Sequence, residues 1–209
     1  MVARREDKLQ AAADMLKGEG LEVTVVVANM RDADSAPAIV ARHKDAYGRL
    51  DVLVNNAGVG IAVPIDEFVD KFVDLQLTVN LRAIVQMYRE AVPLLRESAK
   101  QNGTSLVVNI ASIAAKRPAP LVSVYSATKA GVVGFTQAMN KELGSEGIKS
   151  TALCPAFVDT EMTTWVRDQV KQEDMIRPED IASAVEWLLT VSPQCVVPEI
   201  QFTRPGDND

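Results

Sequence analysis

Short apolar runs alternate with segments of helical spacing along almost the whole chain. The apolar runs span residues 21–28, 51–55, 106–111, 149–154 and 196–202. Runs of this length, rich in valine, predict buried strands, whereas the segments between them repeat apolar residues at helical intervals. Strand–helix alternation is typical of a mostly parallel sheet with helices on both faces. We therefore expect one α/β domain over residues 1–209.

The helical segments end at recognisable signals. Glycine follows several of them directly, as expected where a helix stops, and a proline lies in the first turn of the last one. The predicted helices cover residues 5–17, 34–47, 65–75, 79–99, 125–143 and 177–189.

Charge and composition exclude several classes of function. The net charge is −6 and the basic residues are dispersed among acids, so we expect no nucleic-acid partner. Cys154, Cys195 and the single histidine, His43, have no metal-ligand spacing, so we expect no metal site. So few cysteines favour a reducing cytoplasm, and no apolar run approaches membrane-spanning length, so we expect no membrane partner.

Three residues near the 106–111 strand have a possible chemical use. Tyr125 and Lys129 are four residues apart at the start of a predicted helix, so they share a face. A nearby ammonium lowers the pKa of a phenol, which can then exchange a proton with a carbonyl or alcohol oxygen. Ser112, at the strand end, is placed to hold that oxygen. Taken alone, these residues are better explained as a packed ring, a solvated lysine and a turn serine.

Other segments, in order along the chain, change this balance. An Asn-Asn-Ala-Gly segment at 55–58, Asn80, Ser112, Tyr125-x-x-x-Lys129 and a Pro…Thr segment at 155–160 resemble the short-chain dehydrogenase/reductase family. The resemblance covers essentially the whole chain. It implies a Rossmann-like fold and hydride transfer between a nicotinamide cofactor and a small-molecule carbonyl or secondary alcohol. It also implies a homodimer or a homotetramer.

The resemblance assigns four catalytic residues. Tyr125 is implied as the proton donor or acceptor, and Ser112 as the residue that orients the reacting oxygen. Lys129 is implied to lower the pKa of Tyr125 and to hold the nicotinamide ribose. Asn80 is implied to hold a water that links Lys129 to solvent.

The resemblance also assigns cofactor-binding residues in addition to Tyr125 and Lys129. They lie in the turn after the second apolar strand, near the adenine, at the end of the 106–111 strand and in a loop over the nicotinamide. These residues are Asn56, Ala57, Gly58, Asn29, Met30, Ile110, Pro155, Val158 and Thr160.

Arg4 bears on the choice between the two nicotinamide cofactors. The resemblance implies that a basic residue at this position binds the 2′-phosphate of NADP, whereas NAD-dependent members have an acidic residue one position earlier. In this chain that earlier position is Ala3. We therefore expect NADP, with NAD as the other possibility. The alternative is that Arg4 and Arg5 are only solvated residues at the start of a helix.

The sequence contains no strand, glycine-rich turn and helix of the kind that holds a pyrophosphate. Residues 1–7 resemble the end of the family's second strand and the start of its second helix. We therefore expect a doubly wound parallel sheet that is incomplete at the N-terminus, cut between the 21–28 and 51–55 strands, with the 21–28 strand left unpaired. A start codon assigned too far downstream would explain this. The alternative function is a catalytically inactive relic or binding protein without a phosphate loop.

Overall fold

Parallel strands in two separate sheets form the centre of the computed structural model, which describes residues 1–207. One sheet has two strands, in the order β1-β2, and the other has four, in the order β3-β4-β5-β6. All pairs are parallel. The strands are β1 (Val2–Ala3), β2 (Val26–Val27), β3 (Val52–Asn55), β4 (Ser105–Ile110), β5 (Ile148–Pro155) and β6 (Glu199–Phe202).

Six α-helices connect the strands within the described residues, which confirms the predicted alternation of strands and helices. Most of the predicted boundaries lie within a few residues of the observed ones. The helices are α1 (Glu6–Gly18), α2 (Ser35–Tyr47), α3 (Asp70–Leu77), α4 (Ala83–Asn102), α5 (Ser123–Leu143) and α6 (Pro178–Thr190). None of the helices in residues 1–207 combines the length and the apolar character needed to cross a membrane.

The four-stranded sheet is covered on both faces. One apolar cluster packs α2, α4 and α5 against residues such as Val107 and Ala152. The other packs Leu188 of α6 against the opposite face, through Leu106, Val108 and Leu153. All eight residues of β5 are buried, because this strand is central and both of its faces meet helices.

The predicted 21–28 strand is wrong in length and burial. Only Val26 and Val27 form a strand, and Val27 is exposed. The reason is the partner: β1 offers two residues, so the parallel ladder contains only Val2 with Val26 and Ala3 with Val27. The predicted cut in the sheet is present, but the expectation that the 21–28 strand would lack any ladder partner is wrong.

The edge of β3 that faces away from β4 has no strand partner within residues 1–207. The side chain of Val54 is consequently poorly covered, with 45% of its surface exposed, although its neighbours Leu53 and Asn55 are buried. Each strand of the larger sheet ends at the same edge, since parallel strands share their direction. The polar residues after these strands therefore collect there.

Two predicted helices differ from the observed ones near this edge. The predicted 65–75 helix is divided into a 3₁₀ turn at Ile65–Glu67 and α3, because Phe68 and Val69 take extended backbone conformations. The predicted 79–99 helix begins with a π-helical segment at Thr78–Arg82, which continues into α4. Such π turns are frequent at functional sites, and this one contains Asn80.

Candidate active site

Four of the predicted residues come together at the carboxyl edge of the larger sheet. Ser112 follows β4, Tyr125 and Lys129 lie in the first two turns of α5, and Asn80 lies in the π-helical segment. Asn80, Ser112 and Lys129 are all buried. The backbone of α5 places Tyr125 and Lys129 on one face, as their spacing predicted.

Lys129 is buried and has spare hydrogen-bonding capacity. Only 3% of its surface is exposed, and its Nζ donates to the carbonyl oxygen of Ile110 at 2.7 Å. Within residues 1–207 this is the one hydrogen bond that Nζ donates. An ammonium has three N–H donors, so donors remain for another acceptor. Burial lowers the pKa of Lys129 to about 8, which makes the charged form less favoured than on the surface.

The pKa of Tyr125 moves in the direction opposite to the expected one. Burial of the phenol raises its pKa, and the nearby Ser112 hydroxyl partly opposes that shift. Lys129 Nζ lies 5.7 Å from the centre of the Tyr125 ring. The ammonium is bound to Ile110 rather than to the phenol oxygen, so desolvation has the larger effect in this structure.

Ser112 forms the start of a short 3₁₀ turn at Ile113–Ala115. Its Oγ accepts a hydrogen bond from the N–H of Ala114 at 3.2 Å, which fixes the position of the hydroxyl. A serine hydroxyl that accepts one bond still has its own proton to donate. Ser112 is therefore able to donate to an oxygen beside Tyr125.

Asn80 binds the turn that follows β3. Its Oδ1 accepts from the N–H of Val59 at 2.8 Å, and its Nδ2 donates to the Val59 carbonyl at 2.9 Å and to Thr128 Oγ1 at 3.0 Å. A Cβ at Gly58 would lie 3.5 Å from Lys129 Nζ and 3.6 Å from Asn80 Oδ1. The absence of a side chain at Gly58 thus leaves space between the lysine and the asparagine.

A buried polar network under the site holds several elements in register. Asn55 Nδ2 donates to Asn109 Oδ1 at 2.8 Å, and Asn109 Nδ2 donates to the Tyr88 hydroxyl and to Thr136 Oγ1, both at 2.9 Å. The Tyr88 hydroxyl donates to Ser150 Oγ at 3.0 Å. These bonds join β3, β4, β5, α4 and α5, so they hold α5 against the sheet at Thr136. No pattern in the sequence indicated this network.

The cofactor residues predicted after β3 and β5 lie at the same edge of the sheet. Asn56 and Ala57 are exposed directly after β3, and Gly58 is partly buried beside Lys129. Pro155 ends β5 and is buried. Val158 forms an isolated parallel bridge with Ile176, and Thr160 begins a 3₁₀ turn through a reciprocal capping interaction with Thr163.

The residues predicted near the adenine and the 2′-phosphate follow the two strands of the smaller sheet. Asn29 Oδ1 accepts from the N–H of Arg31 at 3.2 Å, Met30 packs against the apolar core, and Arg4 is exposed directly after β1. Within the described chain, no hydrogen bond or ion pair joins these residues to the four central side chains.

Glu161 connects the segment after β5 to the start of α1. Its carboxylate forms ion pairs with Arg5, at 2.9 Å, and with Lys8. Hydrogen bonds from Lys8 and Arg5 lower the pKa of Glu161 to about 2. No signal in the sequence pointed to Glu161, because its partners are more than 150 residues away.

The residues present fit one part of a nicotinamide cofactor. The buried Lys129 has unused donors, and Gly58 leaves the adjoining space open. Both features suit the ribose hydroxyls next to the nicotinamide. Within residues 1–207, no glycine-rich turn joins a strand to a helix N-terminus, so the same fit does not extend to the pyrophosphate.

Comparison with known proteins identifies the family. The family profile described as "short chain dehydrogenase" matches residues 1–171. The chain belongs to the short-chain dehydrogenase family. The "Monensin polyketide synthase putative ketoacyl reductase" of Streptomyces virginiae is 38% identical over 165 residues, which make up 79% of this chain and 62% of that protein. The chain thus spans less than two thirds of the length of this relative.

Solved structures of this family agree in fold. The crystal structure of a tryptophan variant of the actinorhodin polyketide ketoreductase with NADPH has a TM-score of 0.85 and 29% identity, covering 96% of this chain and 83% of that one. The 3-ketoacyl-(acyl-carrier-protein) reductase from Brucella melitensis, complexed with NADH, has a TM-score of 0.83 and 27% identity, covering 96% and 83%. The expected doubly wound α/β fold is therefore confirmed.

Proposed function

We propose that this short-chain dehydrogenase interconverts a carbonyl group and a secondary alcohol, with Ser112, Tyr125, Lys129 and Asn80 as its site residues. The observation that carries the proposal is Lys129, a buried ammonium with unused donors, one helical turn from Tyr125 and beside Gly58. Burying a charged group is costly, and a position that served packing alone would favour an apolar residue.

Each residue has a distinct task in the proposed reaction. When bound, a nicotinamide cofactor supplies or accepts the hydride at the reacting carbon. Tyr125 gives its phenol proton to the carbonyl oxygen during reduction and takes it back during oxidation. Ser112 donates a hydrogen bond to that oxygen and so stabilises the charge that develops on it. Lys129 holds the ribose hydroxyls and stabilises the phenolate that Tyr125 becomes.

Asn80 supports this arrangement in two ways. Its amide holds Val59, and its Oδ1 lies across the Gly58 space from Lys129 Nζ. A water in that space would connect the lysine to Asn80 and return a proton to the phenol. A water bridging two polar groups is nearly as favourable as a direct hydrogen bond.

We further propose a 3-oxoacyl compound or a related ketone as the substrate class and NADP as the preferred cofactor, with NAD as the alternative. The names of the relatives, a ketoacyl reductase and a 3-ketoacyl-(acyl-carrier-protein) reductase, support the substrate class. Arg4, exposed directly after β1, supports NADP. We also propose that the chain forms a homodimer or homotetramer and lies in the cytoplasm. The free thiols of Cys154 and Cys195 fit a reducing compartment of this kind.

The test is a reduction assay with NADPH and a panel of 3-oxoacyl thioesters and cyclic ketones, run beside an NADPH fluorescence titration. Tyr125→Phe should lower kcat by about 10²- to 10⁴-fold with cofactor binding retained, because only proton transfer is removed. Tyr47→Phe is the matched control, since Tyr47 is an exposed residue of α2. Cofactor binding without any reduction would favour the binding-protein alternative, and equal rates for the two variants would refute the role of Tyr125.

A further inference from the structure

Gln76 is a fully buried carboxamide next to the candidate active site. It lies in α3 with 0% of its surface exposed. Its Oε1 accepts a hydrogen bond from the N–H of Ile61 at 3.1 Å. Within the described residues, its Nε2 has no hydrogen-bond partner. A buried amide with an unpaired donor destabilises the fold relative to an apolar side chain of the same size, so packing alone does not account for a glutamine here.

Gln76 and Asn80 act on the same short segment. They are four residues apart on consecutive helical turns, so their side chains lie on one face. Asn80 Oδ1 receives the N–H of Val59 at 2.8 Å, and Gln76 Oε1 receives the N–H of Ile61. Two carboxamides therefore hold two alternate N–H groups of the turn at residues 58–61.

The segment held in this way forms a wall of the site. A Cβ at Gly60 would lie 3.7 Å from both Cδ2 and Cε2 of Tyr125, so the backbone at Gly60 runs beside one edge of the ring, with room for about a methyl group between them. Two residues earlier, a Cβ at Gly58 would lie 3.5 Å from Lys129 Nζ, so the segment also runs beside the lysine. Residues 58–61 therefore line the site beside the Tyr125 ring and Lys129 Nζ.

We propose that Gln76 is a positioning residue, which together with Asn80 holds residues 58–61 against Tyr125 and so fixes the orientation and solvation of the phenol. The inference rests on the proposed function, because it is Tyr125 that Gln76 positions. Gln76 itself touches Ile61 rather than the phenol, so it acts through the backbone.

The test compares three variants of the full chain. Gln76→Met keeps the size of the side chain and removes the acceptor of the Ile61 N–H. Gln76→Glu keeps an acceptor at the same place, and burial favours its neutral acid form. Gln101→Met makes the same chemical change at an exposed position near the end of α4.

Two readouts separate positioning from stability. We expect Gln76→Met to lower kcat on the order of tenfold, with KM for the carbonyl substrate nearly unchanged, because a misplaced proton donor slows the chemical step rather than binding. The second readout is the tyrosinate absorbance titration of Tyr125, isolated by subtracting the curve of Tyr125→Phe. In Gln76→Met, added water should move the pKa of Tyr125 down towards its ordinary value.

The outcomes decide the proposal in each case. If Gln76→Met has the same kcat and the same Tyr125 titration as the unchanged protein, the proposal is wrong, even if the variant has a lower Tm. If Gln76→Met does not fold, Gln76→Glu decides: its kcat should match that of the unchanged protein, and a loss of tenfold or more overturns the proposal. If the unchanged protein reduces no carbonyl, the proposed function fails, and the titration still tests whether Gln76 positions Tyr125.

Discussion

The burial of Lys129 predicts that its charge, which lies in the candidate active site, destabilises the fold. Replacing Lys129 with methionine keeps most of the side-chain length and removes the charge. We expect Lys129→Met to abolish carbonyl reduction and at the same time to stabilise the fold near neutral pH. Such an exchange of stability for activity is common at functional sites.

The size of the effect follows from the pKa of the lysine. Burial lowers this pKa from 10.5 to about 8, which corresponds to roughly 3 kcal/mol at about 1.4 kcal/mol per pH unit. The variant also loses the hydrogen bond to the Ile110 carbonyl. This loss costs about 1 kcal/mol and offsets part of the gain in the free energy of unfolding. The net gain at pH 7 is therefore about 2 kcal/mol, or a rise in Tm of roughly 4–8 °C for a chain of this size.

The sign of the pH dependence provides a sharper test. Below about pH 8 the lysine is protonated in both the folded and the unfolded chain, so the destabilisation is fully present. Between about 8 and 10.5 the folded chain has lost the proton while the unfolded chain keeps it, so the free energy of unfolding rises with pH. The advantage of Lys129→Met should therefore shrink across this window.

Urea unfolding of both proteins at several pH values measures this difference directly. Repeating the pair in a Tyr125→Phe background removes the titration of the neighbouring phenol from the comparison. A Lys129→Met variant that is less stable than the unchanged protein at pH 7 would refute the reasoning. So would a stability difference that stays constant from pH 7 to 10.

Two other features carry predictions. Leu121 has a left-handed backbone with φ of 68°, and this conformation costs about 1 kcal/mol or more for a residue with a Cβ. Leu121→Gly should therefore raise the Tm slightly, whereas the control Ala119→Gly in the same loop should not. A lower Tm for Leu121→Gly would contradict this. Glu161→Gln removes a negative charge beside Arg5 and Lys8, just after Arg4, the residue proposed to meet the 2′-phosphate. Fluorescence titration should therefore show NADP binding roughly two- to fivefold tighter with NAD binding unchanged; equal gains for both cofactors would show that this charge does not act on the 2′-phosphate.

The sequence predicted the elements that carry strong periodicity or a motif. The β4 and β5 strands and the α5 helix are continuous in pattern and central in the fold, so local sequence and packing agree. The motif placed Ser112, Tyr125 and Lys129, because strand direction and helix spacing bring them to one edge. The roles of these residues remain proposals.

The features that the sequence did not predict have a common physical origin in long-range contacts. The length of β2 depends on the two residues that β1 offers, and the burial of Gln76 depends on the path of residues 58–61. Neither of these contacts produces a periodic pattern in the sequence. The direction of the Tyr125 pKa was missed for the same reason, because helix spacing shows that a lysine is near but not which acceptor it binds.

The edge of β3 that has no strand partner within residues 1–207 has a consequence for handling the protein. Its residues, Val52–Asn55, present backbone donors and acceptors on a short apolar strand without the lysine or proline that shields many natural edges. Val54 adds exposed hydrocarbon to that edge. Such a strand is a template for further strands, so purified chains should associate edge to edge as their concentration rises, and solubility should depend on whatever covers this strand.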